Sequence, residues 1–142
     1  MRLAASSAAA RRDRNGGRLS LLLIDLDDFK AVNDRLGHLA GDRALAHCAE
    51  ALRTAVRAPD SCFRWGGDEF AVLLVDSGIE VAEEVGLRVQ ATVAEHSYLD
   101  DGSPLSLRFG AAELEAGQSA DDLVAAADAA LLEAKGAPYY TF

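Results

Sequence analysis

The sequence predicts an α+β fold in which helices flank a mixed, mostly antiparallel central sheet of about five strands. Three observations carry that expectation. The chain has 142 residues, the size of one domain with one core. Short apolar runs of strand length alternate with stretches whose apolar residues recur at helical spacing. Gly66-Gly67 separates two β-favouring runs, which marks a local hairpin among helical crossovers.

The elements follow in order. Residues 1–18 carry Arg2, Arg11, Arg12, Arg14 and Arg18 against Asp13 alone, within an alanine-rich stretch that reads as a frayed or docking helix. Asn15-Gly16-Gly17 ends it, because these residues accept positive φ at low cost. Residues 1–18 are therefore an expected helical extension, and 19–142 the expected domain proper. Leu19 to Leu26 is a strand apolar enough to be buried on both faces. Phe29 to Leu36 and Arg43 to Arg57 read as helices, the second with Leu45, Cys48, Ala49, Leu52 and Val56 on its stripe, and Pro59 stops it. Ser61 to Trp65 and Glu69 to Val75 form the hairpin, with Asp68 leaving its turn directly. A further helix carries Ala82, Val85, Val89 and Val93. Leu105 to Leu114 is a strand, and Ser119 with Asp122 resembles a capping box opening a last helix along Leu123, Ala127 and Leu131.

Composition narrows function. The chain is 50% hydrophobic and 26% charged with 3 Pro, a balance for a packed core and against disorder. Its net charge of −9 argues against a sequence-independent grip on a DNA or RNA polymer, which needs a basic face. Cys48 and Cys62 cannot build a disulfide framework or a zinc cluster, so a reducing, cytoplasmic setting is expected. Met1 to Ala10 resembles a signal peptide only in its alanines, and no apolar run approaches bilayer-spanning length. His38 and His47 have no ligand partners at useful spacing. Nucleophile triads and a Walker-type lysine loop are also missing.

The chemistry concentrates in two segments, Asp25-Leu26-Asp27-Asp28-Phe29-Lys30 and Arg64-Trp65-Gly66-Gly67-Asp68-Glu69-Phe70. A strand ending in Asp25 beside a turn delivering Asp68 brings two hard oxygen ligands together and leaves coordination positions for phosphate oxygens and water, as Mg2+ prefers. Phe29 opens a helix whose first N–H groups suit phosphates, and Lys30 adds a point charge. Gly66-Gly67 exposes bare backbone to a substrate. Each feature alone has a plainer explanation: a helix cap at Asp27 or Asp28, a hairpin turn at the glycines, solvated acids. Together they point to a nucleotide-metal site.

At this point the sequence closely resembles the GGDEF family of diguanylate cyclase domains. The signature stands unbroken as Gly66-Gly67-Asp68-Glu69-Phe70, and Asp25 to Asp34 with Gly37-His38-Leu39-Ala40-Gly41-Asp42 is similar to the family's nucleotide-binding segment at the family's spacing. The resemblance spans about Leu19 to Lys135 and implies a nucleotide-cyclase or palm-like fold. It implies that two GTP molecules, one per protomer of a homodimer, condense to cyclic di-GMP with loss of two pyrophosphates. It places Mg2+ or Mn2+ on Asp25, the Leu26 carbonyl and Asp68. Asn33 and Asp42 would read guanine; Asp28, Phe29, Lys30, Gly66, Gly67 and Lys135 would meet the rest of the substrate. Asp68 and Glu69 are the catalytic pair, Glu69 being either a further metal ligand or an aid to deprotonating the hydroxyl. Arg57 and Asp60, spaced as Arg-x-x-Asp before the signature, with Arg88, imply an inhibitory product site.

Some family features are altered. The amino-terminal Asp-x-Leu-Thr-x-Leu-x-Asn-Arg-Arg segment has no counterpart before Leu19. The Tyr-x-Ala-Lys and following Gly-Arg become Leu132-Glu133-Ala134-Lys135 and Pro138-Tyr139, which removes a phosphate-binding arginine. Arg108 replaces a small hydroxyl residue and is expected to disturb packing beside the site. Weakened turnover is the resulting expectation, the alternative being a catalytically degenerate module that binds GTP or cyclic di-GMP. A sensor domain in a longer parent protein is a further partner that the family implies.

Overall fold

The computed structural model describes residues 1–57, 60–97 and 99–136, the side chains of 2–3 and 13–15 excepted. Five helices and four strands follow one another among them: α1 (Arg2–Asn15), β1 (Leu19–Leu26), α2 (Phe29–Leu36), α3 (His38–Ala55), β2 (Ser61–Arg64), β3 (Glu69–Val75), α4 (Ile79–His96), β4 (Leu107–Glu113) and α5 (Ala120–Gly136). Pro59, Pro138 and Tyr139 lie outside the described residues.

The sheet has the order β2-β3-β1-β4, with every neighbouring pair antiparallel. This corrects the expectation of about five strands in a mixed sheet. The helical crossovers do join strands of like direction, β1 to β2 and β3 to β4. In each case a strand of the other pair lies between them, so no parallel neighbours result.

β1 is central and buried along its whole length, because its alternating residues enter two separate cores. Leu22, Ile24 and Leu26 pack with Leu45, Cys48 and Leu52 of α3 and Val85, Val89 and Val93 of α4. Leu19, Leu21 and Leu23 face Ala5, Ala8 and Ala9 of α1 and Leu123, Ala127 and Leu131 of α5. The result is three layers, with the sheet in the middle.

Local chemistry sets the boundaries. Gly16, left-handed at φ 73°, closes α1 by donating its N–H to the Arg12 carbonyl, as the glycines predicted. Ser119 and Asp122 cap α5 reciprocally: the Ser119 N–H donates to Asp122 Oδ2 at 2.9 Å and the Asp122 N–H to Ser119 Oγ at 3.2 Å. α3 starts at His38, five residues before the predicted Arg43. Gly37, at φ 89°, ends α2 through its N–H to the Asn33 carbonyl and lets the next helix begin at once. The free thiol of Cys48 is buried, which pushes its pKa up to about 12. Cys62 is also free and lies exposed on β2.

Candidate active site

Asp25 is the seventh residue of β1 and shares a face with Leu21 and Leu23. It is 4% exposed, a buried charge at the rim of the core. The register sets Glu69 of β3 directly opposite on one side and Arg108 of β4 on the other. Asp68 belongs to the turn before β3, and its carbonyl accepts the Leu26 N–H at 3.1 Å. That bond fastens the hairpin turn to the end of β1. The Asp25 and Asp68 carboxyls therefore meet, as the sequence predicted.

Electrostatics show how crowded this corner is. Burial pushes the Asp25 carboxyl above its ordinary range; Lys135 pulls the other way, and the adjacent Asp68 adds to the rise. Burial also raises Glu69, followed by the charges of Asp25 and Asp68. The Lys135 ammonium, from the last turn of α5, donates to Asp25 Oδ2 and is itself shifted upward by that bond. Asp25 Oδ1, although buried, has no hydrogen-bond partner.

Asp25, Asp68 and Lys135 line a cleft of about 360 Å³ together with Leu26, Asp27, Asp28, Phe29, Lys30 and Arg108. Asp28 adopts a left-handed backbone, φ 52° and ψ 36°, at the start of α2, and no side chain caps the helix. The capping explanation for Asp28 therefore fails, and the first N–H groups of α2 open toward the cleft. A non-glycine residue at positive φ stores strain of the kind found at functional sites. Gly66 and Gly67 do not have positive φ. A Cβ on Gly67 would meet nothing within 4 Å, so the second glycine leaves room over the turn and is not demanded by its geometry.

Arg108 corrects an expectation. Its side chain is 13% exposed and faces Asp27 at 3.8 Å, while its Nη1 donates to the Ala134 carbonyl at 2.8 Å. The guanidinium ties the end of α5 to β4 instead of disturbing the packing. Asp27 also accepts the Ser106 hydroxyl at 2.8 Å. These roles were not legible in the sequence, because they depend on which strands pair.

The remaining predicted residues lie elsewhere. Asn33 sits against Gly41, where a Cβ would be 1.8 Å from Asn33 Oδ1, and that oxygen is buried without a partner. Asp42 is exposed and borders a second cleft, of about 470 Å³, with Leu45, Arg64 and Phe70. Arg57 and Asp60 adjoin Val75, at the far end of β3, roughly 20 Å along the strand from Glu69. There Asp60, its side chain 1% exposed, accepts the Val75 N–H at 3.1 Å. Arg57 donates to Asp60, to the Val75 carbonyl at 2.8 Å and to Ser77 Oγ at 2.7 Å. Arg88 reaches the Ala55 carbonyl at 3.3 Å, beside the same corner.

The donor set suits a hard divalent cation: the Asp25 and Asp68 carboxylates, of which Asp25 Oδ1 is buried without a partner, and the Leu26 carbonyl. Among the described residues no three His, Cys, Asp or Glu side chains form a ready-made cage. Mg2+ does not require one, because it is usually held by one or two carboxylates completed by substrate phosphates and water.

Comparison with known proteins agrees with this geometry. The family model described as diguanylate cyclase, GGDEF domain, matches residues 1–139. The chain belongs to the GGDEF family. Among curated relatives of this GGDEF domain, diguanylate cyclase DgcP of Pseudomonas aeruginosa is 39% identical over 130 residues, covering 90% of the chain and 19% of that protein. Diguanylate cyclase DgcS of Shewanella oneidensis is 40% identical, covering 91% and 43%. The chain thus spans about a fifth to somewhat over two fifths of the length of these relatives. The active GGEEF domain of a diguanylate cyclase from Vibrio cholerae superposes with a TM-score of 0.89 at 30% identity, over 94% of this chain and 86% of that one. The GGDEF domain of DgcB from Caulobacter crescentus, solved with c-di-GMP, gives 0.87 at 27%, over 93% and 78%. No helix among the described residues is long and apolar enough to cross a membrane.

Proposed function

We propose that this GGDEF domain is a diguanylate cyclase that condenses two GTP into cyclic di-GMP and two pyrophosphates. The observation that carries the proposal is the meeting of Asp25 and Asp68, from separate segments, in one cleft with the uncapped start of α2 and the cations Lys30 and Lys135. Each 3′-hydroxyl attacks the α-phosphorus of the other nucleotide, the α–β phosphoanhydride bond breaks, and the hydroxyl proton passes to a base or to water. One cleft binds one GTP, so the reaction needs a homodimer and becomes concentration dependent.

Asp25, Asp68 and the Leu26 carbonyl would hold Mg2+ or Mn2+, which neutralises and orients the triphosphate for in-line displacement. The N–H groups of Phe29 and Lys30, with the Lys30 ammonium, cradle phosphate oxygens, and the open backbone at Gly66 and Gly67 admits the nucleotide. Asn33 and Asp42 read the guanine edge, for which a carboxylate accepts two donors. Glu69, its carboxyl raised by burial and then by its acidic neighbours, would ligate a cation or take the hydroxyl proton. Arg57, Asp60 and Arg88 form the inhibitory product site, where guanidinium forks suit phosphates and guanine edges. The setting is the cytoplasm, with a signal-receiving domain elsewhere in a longer protein. One lost phosphate contact slows turnover about 10- to 100-fold.

Incubation with GTP and Mg2+ followed by chromatography tests the proposal. Cyclic di-GMP is expected from the wild type at high protein concentration and none from Asp68→Asn. A wild type that makes no product but binds GTP by calorimetry is a degenerate nucleotide-binding module instead.

A further inference from the structure

Asp25 is more than nine-tenths buried and its charge is met by one cation, Lys135, at Oδ2, while Oδ1 has no hydrogen-bond partner. Asp68 and Glu69 add two negative charges to the same corner. Without Lys135 a buried carboxylate would face two acids uncompensated, a costly arrangement.

Lys135 is held there only loosely by packing. Its side chain is 45% exposed, which leaves the ammonium room to turn once its bond to Asp25 is broken. The helix beneath it is fixed, because Arg108 Nη1 donates to the carbonyl of Ala134, the preceding residue. Lys135 can therefore release Asp25 by a rotamer change with α5 still in place. A divalent cation requires the same carboxylate, and a compact ammonium at hydrogen-bond distance repels it.

We propose that Lys135 is the resident counter-charge of the metal position: it holds Asp25 while no divalent cation is bound, is displaced when one arrives, and turns within the same cleft toward the incoming phosphates. The phosphate half rests on the cyclase assignment. The exchange at Asp25 is a property of the protein alone and is measurable without nucleotide.

The experiment titrates Mn2+ into the wild type, Lys135→Met, Lys135→Arg and Asp25→Asn proteins without GTP, following the free ion by paramagnetic resonance. Loss of the competing cation tightens Mn2+ binding to Lys135→Met about tenfold, the equivalent of one charge-assisted hydrogen bond. Lys135→Arg keeps the wild-type affinity, and Asp25→Asn loses the site. In metal-free buffer Lys135→Met melts about 3–8 °C below the wild type, and Mn2+ raises its melting temperature more than that of the wild type. Equal or weaker Mn2+ affinity in Lys135→Met, or no binding by any of the four proteins, overturns the proposal. Should the cyclase assignment alone fail, the wild type yields no cyclic di-GMP while the Mn2+ difference persists.

Discussion

At Gly110 of β4 the backbone of α5 lies directly against the sheet, and replacing the glycine by alanine tests whether that approach holds the site together. A Cβ there would stand 2.1 Å from the Leu131 nitrogen and 2.6 Å from both Ala130 C and Leu131 Cα. All three are helix backbone atoms, so no side-chain rotation relieves the overlap. Ordinary contact is about 3.5–4.0 Å, which requires α5 to retreat by roughly 1.5 Å. The retreat loosens Leu123, Ala127 and Leu131 against Leu21 and Leu23. It also draws the Ala134 carbonyl from Arg108 and Lys135 from Asp25. Overpacking typically costs about 1–3 kcal/mol, and a rigid backbone clash belongs at the upper end. Gly110→Ala is thus expected to lose about 3 kcal/mol in urea denaturation and about 10 °C in melting temperature. Gly67→Ala is the control, since its Cβ meets open space, and should stay within about 0.5 kcal/mol of the wild type. A Gly110→Ala protein as stable as that control refutes the close packing of α5 on β4.

Four further outcomes follow from the same geometry. Glu69 lies opposite Asp25 and its carboxyl is raised by burial and then by neighbouring acids, so the folded state binds that proton more tightly than the unfolded chain. Its ionisation lowers stability as pH rises from the ordinary value of 4.5 through the raised folded value. Glu69→Gln should therefore melt higher at pH 8, by about 0.2–1 kcal/mol in stability, with the gain vanishing below that window; a wild type more stable at pH 8 contradicts this. Gly41→Ala forces Asn33 from its position, since the new Cβ falls 1.8 Å from Asn33 Oδ1, and calorimetry should show GTP binding weakened about tenfold; unchanged affinity removes Asn33 from base recognition. Arg57→Ala should weaken inhibition by added cyclic di-GMP about tenfold or more in progress curves. Asp60→Ala, which strips the Val75 N–H of its acceptor, should cost about 1–3 kcal/mol in urea, and an unshifted midpoint argues against that bond.

Much of this molecule is written locally. Leu19–Leu26, Phe29–Leu36 and Glu69–Val75 occupy the predicted ranges, because continuous burial, helical spacing and a Gly-Gly break are properties of neighbouring residues. The joining of Asp25 to Asp68 was legible for a related reason: a strand end and a hairpin turn have few ways to meet in a small sheet. The start of α3 was not, since one glycine at positive φ did the work assigned to a longer turn.

Strand order and register had to come from the tertiary structure. An interleaved, fully antiparallel sheet places Glu69 and Arg108 on either side of Asp25, and α5 brings Lys135 to that carboxylate across 110 positions of sequence. Those contacts are chosen by which buried faces pack together, an energy shared over the whole core. The sequence alone determined which acidic and basic side chains are available and which segments present them. Their burial, their charge partners and the separation of the Arg57 corner from the Asp25 cleft were decided only when two cores closed on the opposite faces of β1.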